Sequence, residues 1–364
     1  MTNYKLLTPG PLTTTDTVKQ EMSIDRCTWD DEYKQITQKI RSQLLDLAHV
    51  SKEDYTVVLM QGSGTFSVES VMQTAIGEND KALIITNGAY GKRIVQMAEY
   101  IGKNYEEYSV AYNEYPEEYV IREKLEKDPS ITHIIMVHCE TTTGILNPLE
   151  MVSELAKTYD KTLIIDAMSS FGGIEINVEE LEIDYLISSA NKCIQGVPGF
   201  GFVIAKLTHL QTCKGHAHSL SLDLYDQWQV MEVDGKWRYT SPTHVVAAFS
   251  QAIDELLVEG GIVARHERYR KNNQLVRERL EKVGIYPYIT SDKQSPIIAT
   301  YLFPNEQFSF ETFYEHVKAK GFVLYPGKLT DIDTFRIGNI GEIYEEDIQE
   351  LCDIIAEYMG VLVK

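Results

Sequence analysis

The chain has 364 residues, 43% of them hydrophobic and 24% charged, with a formal net charge of -20. That length suits roughly two domains with a substantial core, and so acidic a surface argues against a nucleic-acid or anionic-membrane partner. Five scattered cysteines form no CxxC pair, which fits reduced thiols. The first residues carry no apolar signal segment, and no run approaches the ~20 apolar residues that span a bilayer, so a soluble cytoplasmic protein is expected.

In chain order, apolar runs at 56–60, 82–86, 133–138, 162–166, 185–189 and 201–205 predict strands. Stretches at 67–76, 91–101 and 148–159 have helical spacing and fall between them. Such alternation implies an α/β fold with a mostly parallel sheet covered on both faces. The run at 201–205 follows 185–189 after a short glycine-containing turn. That is too little chain for a helical crossover, so this strand should run antiparallel or sit elsewhere in the sheet. Helices at 245–260 and 264–283, a strand at 296–303, a helix at 310–320, short strands near Phe322 and Phe335, and a last helix at 345–359 predict a smaller α+β unit. The expected division is an N-terminal segment 1–15 packing near the active site, a large domain 16–256 and a small C-terminal domain 257–364.

The chemistry-bearing residues gather at strand ends. Asp166 closes the run Leu163-Ile164-Ile165, and Lys192 follows Tyr185-Leu186-Ile187 after a few small residues. An acid and an amine at the C-terminal tips of buried strands stand where α/β folds place their ligands. Together they suggest pyridoxal phosphate, with the lysine for a Schiff base and the acid for the pyridinium nitrogen. Gln61-Gly62-Ser63-Gly64-Thr65 follows a strand and opens a helix, as a phosphate cradle does. It lacks the lysine of a P-loop, and the next strand lacks the terminal acid of a dinucleotide site. A tight turn that needs glycine explains it equally well when taken alone.

Tyr90, in Asn87-Gly88-Ala89-Tyr90-Gly91, could lie over a flat cofactor ring or simply pack. The hydroxyls of Thr141, Thr142 and Thr143 could bond ring substituents or cap a helix. Arg336, between Phe335 and Ile337 on a predicted strand, invites a carboxylate or phosphonate partner, with a structural salt bridge as the equal alternative. His216 and His218 lack a third ligand and make no metal site.

With these residues assembled, the chain resembles the class V, fold-type I PLP-dependent aminotransferases nearly end to end. The resemblance runs through Leu7-Thr8-Pro9-Gly10-Pro11, the glycine-rich turn at 61–65, the segments 87–91 and 140–144, and Asp166-Ala167-Met168-Ser169. It continues through 187–199, Trp237-Arg238-Tyr239-Thr240 and Phe335-Arg336-Ile337-Gly338. The longer segments are most similar to the branch of that family that moves the amino group of 2-aminoethylphosphonate to pyruvate, giving phosphonoacetaldehyde and alanine in phosphonate catabolism.

The resemblance implies that Lys192 is the Schiff-base lysine and proton shuttle, and that Asp166 is the pyridinium partner. It further implies that Ser63, Gly64 and Thr65 hold the phosphate, Tyr90 stacks on the ring, and Arg336 binds the substrate anion. Thr142, Met168 and Asn191 are expected near the cofactor. A homodimer with interfacial sites is implied, in which Thr240 reaches the phosphate of the neighbouring subunit's cofactor. Alanine–glyoxylate or serine–pyruvate transamination would use the same Lys192 and Asp166. A cysteine desulfurase would need a mobile loop cysteine, and Cys352 lies in a helical pattern instead. A non-catalytic phosphate-binding protein of this fold is the reading from a different class.

Overall fold

The computed structural model describes residues 4–329 and 331–362. Residues 1–3 of the expected N-terminal segment, and 330, 363 and 364 of the expected small domain, lie outside the described residues. The described chain begins with β1 (Lys5–Leu6), α1 (Asp16–Glu21) and α2 (Asp31–Leu47). An alternating region follows: β2 (Tyr55–Gln61), α3 (Gly64–Ala75), β3 (Ala82–Thr86), α4 (Ala89–Ile101), β4 (Tyr105–Ser109), α5 (Glu118–Lys127) and β5 (His133–Val137). A small hairpin, β6 (Cys139–Glu140) and β7 (Ile145–Leu146), interrupts it before α6 (Leu149–Thr158), β8 (Thr162–Asp166), β9 (Tyr185–Ser189) and β10 (Phe200–Lys206).

Seven of these strands form one sheet in the order β2-β10-β9-β8-β5-β3-β4. β10 is antiparallel to both β9 and β2, and the other pairings are parallel. The short turn after β9 therefore returns the chain alongside the strand it has just left, one of the two outcomes open to it. Because β10 is antiparallel on both sides, β2 points the same way as β9, β8, β5 and β3. The C-terminal ends of these strands share one edge of the sheet, and their loops hold the candidate site.

The central strands are buried along nearly their whole length because both faces are covered. Ile84, Ile135 and Ile164 pair in register and pack on one side; Leu83, Ile134 and Leu163 pair in register on the other. Period-two side-chain alternation sends neighbours in each strand to opposite cores. At the far edge β4 is only half-buried and carries two glutamates, so it lacks the hydrophobic signal of the central strands.

Beyond β10 come α7 (Leu207–Leu210), α8 (Leu224–Asp234), α9 (Thr243–Glu259) and α10 (Gly261–Glu281). The chain then forms β11 (Ile298–Leu302), α11 (Phe310–Ala319), β12 (Phe322–Val323), β13 (Tyr325–Pro326), β14 (Thr334–Gly338) and α12 (Glu345–Leu362). β11-β14-β13 make a second, antiparallel sheet, and β1 pairs in parallel with β12. Phe335 and Ile337 of β14 are buried with Phe308, Phe313 and Ile355 in a separate core. By the same alternation Arg336, between them, must face the other way, toward the large sheet.

No helix among the described residues is long and apolar enough to cross a membrane. The described residues contain no cluster of three or more His, Cys, Asp or Glu side chains able to hold a metal ion.

Candidate active site

The loops at the C-terminal edge line a cleft of about 210 Å³ that opens to solvent, bounded by Ser63, Gly64, Thr65, Tyr90, Asp166, Met168, Asn191 and Lys192, among others. Ser63 is the N-cap residue of α3, yet its side chain caps no backbone N–H of that helix. The free amides of the first turn therefore stay available to an anion. Gly64 is required by space: a Cβ there would lie 2.3 Å from Sδ of Met168. Glycine thus lets the cradle backbone come down onto Met168, whose own amide donates to Asp166 Oδ1 at 2.9 Å.

Asp166 ends β8, is 6% exposed, and makes no ion pair among the described residues. Burial pushes its carboxyl up to about 6, against the Met168 amide, with Glu140 adding repulsion and Lys192 and Arg93 pulling down. A buried acid poised this way gains strongly from a cationic neighbour.

Lys192 stands in a tight turn past β9. Gly196 donates back to Ala190 O at 2.9 Å, and Gln195 donates to Lys192 O at 2.7 Å. A Cβ on Gly196 would lie 2.7 Å from Ala190 O. The lysine Nζ donates to Pro9 O at 2.8 Å. Gly10 stacks so closely that a Cβ on it would lie 2.9 Å from Lys192 Cδ. Residues 9 and 10 thus cover the amine. Burial lowers the pKa of Lys192 below the ordinary lysine value, against the opposing pull of Tyr90, Cys193 and Asp166.

Tyr90 lies in the first turn of α4, whose position is fixed by Glu140. This fully buried carboxylate accepts from Tyr90 N and Gly91 N, both at 3.1 Å, and from Thr142 N at 3.0 Å and Thr142 Oγ1 at 2.7 Å. An acid at a helix N-terminus also gains from the helix dipole. The Tyr90 hydroxyl accepts from Lys328 Nζ at 2.9 Å. Burial would raise its pKa, but the hydrogen bond and charge of Lys328, with Lys192, outweigh that and lower it. The Arg93 guanidinium lies 4.9 Å from the Tyr90 ring centroid and reaches Thr65 Oγ1 at 3.4 Å. Arg336 is 3% exposed and donates from Nε to Pro326 O and from Nη1 to Thr141 O, both at 3.0 Å. It adjoins Tyr90 from the β14 side.

The structure therefore brings Ser63, Gly64, Thr65, Tyr90, Asp166, Met168, Asn191 and Lys192 into one cleft and sets Arg336 at its Tyr90 end. Thr142 is not on the lining. Its hydroxyl accepts from Ala89 N at 2.9 Å and donates to Glu140, while its neighbour Thr141 faces the cleft. Thr240 is exposed and outside the cleft of its own chain. Arg93, Glu140 and Lys328 are charged groups of the site that sequence reasoning missed. Arg93 could have been found from its i,i+3 spacing to Tyr90 on α4.

The donor set fits pyridoxal phosphate: open amides and Arg93 could take a phosphate, an acid without an ion pair could take a protonated ring nitrogen, and a buried amine could take an aldehyde. Residues 25–327 match the family described as Aminotransferase class-V. The chain belongs to this family, whose cofactor is pyridoxal phosphate.

Among its relatives is the 2-aminoethylphosphonate–pyruvate transaminase of Lysinibacillus sphaericus (strain C3-41), 63% identical over 361 residues that cover 99% of each chain. The protein of the same description from Bacillus cytotoxicus (strain DSM 22905 / CIP 110041 / 391-98 / NVH 391-98) is 57% identical over 362 residues, again 99% of each. The solved pyridoxamine-pyruvate aminotransferase of Mesorhizobium loti shares the fold, with a TM-score of 0.91 and 20% identity over 100% of this chain and 94% of that one.

Proposed function

We propose that this chain transfers the amino group of 2-aminoethylphosphonate to pyruvate. The observation that carries the reading is the convergence of Lys192, Asp166 and the open N-terminus of α3 on one cleft, with Arg336 against Tyr90 at its edge. Full-length identity of 63% to a relative of that description supports the choice of substrates. Bound pyridoxal phosphate supplies an aldehyde that exchanges amines and a protonated ring that accepts electrons.

The chain's own residues do the rest. Ser63, Gly64 and Thr65 offer amides and hydroxyls to the phosphate, joined by Arg93 beside Thr65. Asp166 holds the proton on the ring nitrogen, and that contact offsets the burial cost of its charge. Tyr90 orients the ring from the α4 side, and Met168 closes the floor beneath the cradle. Lys192 Nζ, made less basic by burial, moves the proton to and from the amine-bearing carbon of the substrate. Asn191, which accepts from Ser189 Oγ at 2.7 Å, steadies the backbone before the lysine. Arg336 binds the phosphonate of the donor and the carboxylate of the acceptor in turn.

A homodimer is part of this reading. In it the exposed Thr240 would serve a neighbouring subunit, and Phe66 of the cradle helix and Tyr239, 48% and 49% exposed, would offer apolar surface for burial. Four buried free thiols support a cytoplasmic setting.

Purified protein reconstituted with pyridoxal phosphate should be yellow. 2-Aminoethylphosphonate should bleach it, and pyruvate should restore the colour. Protein that stays colourless with the cofactor defeats the enzyme reading. Bleaching by alanine but not by the aminophosphonate defeats the donor assignment.

A further inference from the structure

Lys328 follows β13 and ends at the same tyrosine hydroxyl as Arg336. Its Nζ donates to Tyr90 OH at 2.9 Å and stands 4.1 Å from the ring centroid. No ion pair of Lys328 is found among the described residues. The hydrogen bonds of Arg336 define what it has left to offer. A guanidinium has five N–H groups. Here one on Nε is committed to Pro326 O, one on Nη1 to Thr141 O, and the Tyr90 hydroxyl is a third partner. What remains is two N–H groups, enough for the two oxygens of a carboxylate.

A phosphonate presents three oxygens and, when fully ionised, carries two negative charges. Those two N–H groups leave an oxygen and much of that charge unanswered. Of the two cations lining the cleft, Lys192 is the one assigned to the cofactor, and Arg93 lies toward Thr65 at the cradle end.

We propose that Lys328 is the second cation of the substrate-anion subsite, clamping the phosphonate together with Arg336 and giving the dianion its advantage over a carboxylate. The inference deepens the donor assignment and rests on it. With no anion present, Tyr90 OH accepts from the ammonium; the third phosphonate oxygen takes up that donor when substrate binds. Arg336 alone then suffices for pyruvate, so one subsite serves two anions of different charge.

The test uses the full-length holoenzyme and the variants Lys328→Met and Lys328→Arg. Steady-state KM and kcat are measured for 2-aminoethylphosphonate and for pyruvate. Calorimetry gives the dissociation constants of two unreactive probes, ethylphosphonate and propionate. Lys328→Met should raise the KM for the aminophosphonate and the Kd for ethylphosphonate at least about tenfold, or about 1.4 kcal/mol. KM for pyruvate and Kd for propionate should move less than about threefold, or about 0.7 kcal/mol. Lys328→Arg should recover most of the loss. Equal changes for both anions, or no change for either, overturn the assignment. If the wild type fails to use 2-aminoethylphosphonate, the donor reading falls, and the ethylphosphonate-to-propionate ratio across the three proteins still decides the role of Lys328.

Discussion

Replacing Asp166 with asparagine should stabilise the cofactor-free protein while damaging the loaded one. The buried carboxyl is raised from 3.8 to about 6. Its ionised form is therefore disfavoured in the folded chain by about two pH units, or about 3 kcal/mol. The sign follows from proton binding. Between the unfolded and folded values the native state holds the extra proton, so rising pH removes stability. The cost is absent below about pH 4 and complete above about pH 6. Asparagine keeps an oxygen for the Met168 amide and carries no charge to bury.

Urea unfolding of cofactor-free wild type and Asp166→Asn would measure this. The variant should gain on the wild type by about 2 kcal/mol between about pH 4.5 and about pH 7.5. Its affinity for pyridoxal phosphate should fall, because the ring nitrogen loses its anionic partner. A stability difference that stays flat across that pH range would refute the reasoning. So would a wild type more stable than the variant at neutral pH.

Lys192→Ala should abolish turnover, and its cofactor should wash out on desalting, as read by the visible spectrum before and after. Arg336→Ala should weaken capture of both substrates at least about tenfold, since a charged hydrogen bond contributes about 1.5–3 kcal/mol; an unchanged KM for each would count against its role. Glu140→Gln should destabilise the protein by about 1–3 kcal/mol, because either amide orientation turns an NH₂ toward a backbone N–H that now bonds an oxygen. Thermal unfolding reads that loss, and a weaker cofactor Kd should accompany it as Tyr90 loses its anchor.

Residues whose place in the cleft was legible in the sequence were those positioned by a strand. Asp166 and Lys192 follow buried strands, so the parallel sheet alone carries them to one edge. Arg336 was legible because Phe335 and Ile337 must face a core, which turns the arginine the other way. Thr142 shows the limit. In a loop of three threonines no period says which hydroxyl faces the cleft, and the buried demand of Glu140 claimed that one. Glu140 itself was overlooked among the hydroxyls. Lys328 sits in an irregular segment whose placement depends on β13 pairing with β14, a contact that short local patterns do not encode. The strand β4 was hidden for a related reason, as its two glutamates blur the period.

The covering of Lys192 by Pro9 and Gly10 has a consequence for how the protein is made. Those residues are held by β1, whose register is set by Phe322 and Val323 near the opposite end of the chain, and Leu7 O accepts from Gly338 N. During synthesis the large sheet can assemble while the first residues still have nothing to dock on. The lysine then faces an open mouth until the C-terminal strands emerge, which leaves an interval for the cofactor to enter before the lid is seated. A fragment ending ahead of Phe322 would keep that mouth open for good.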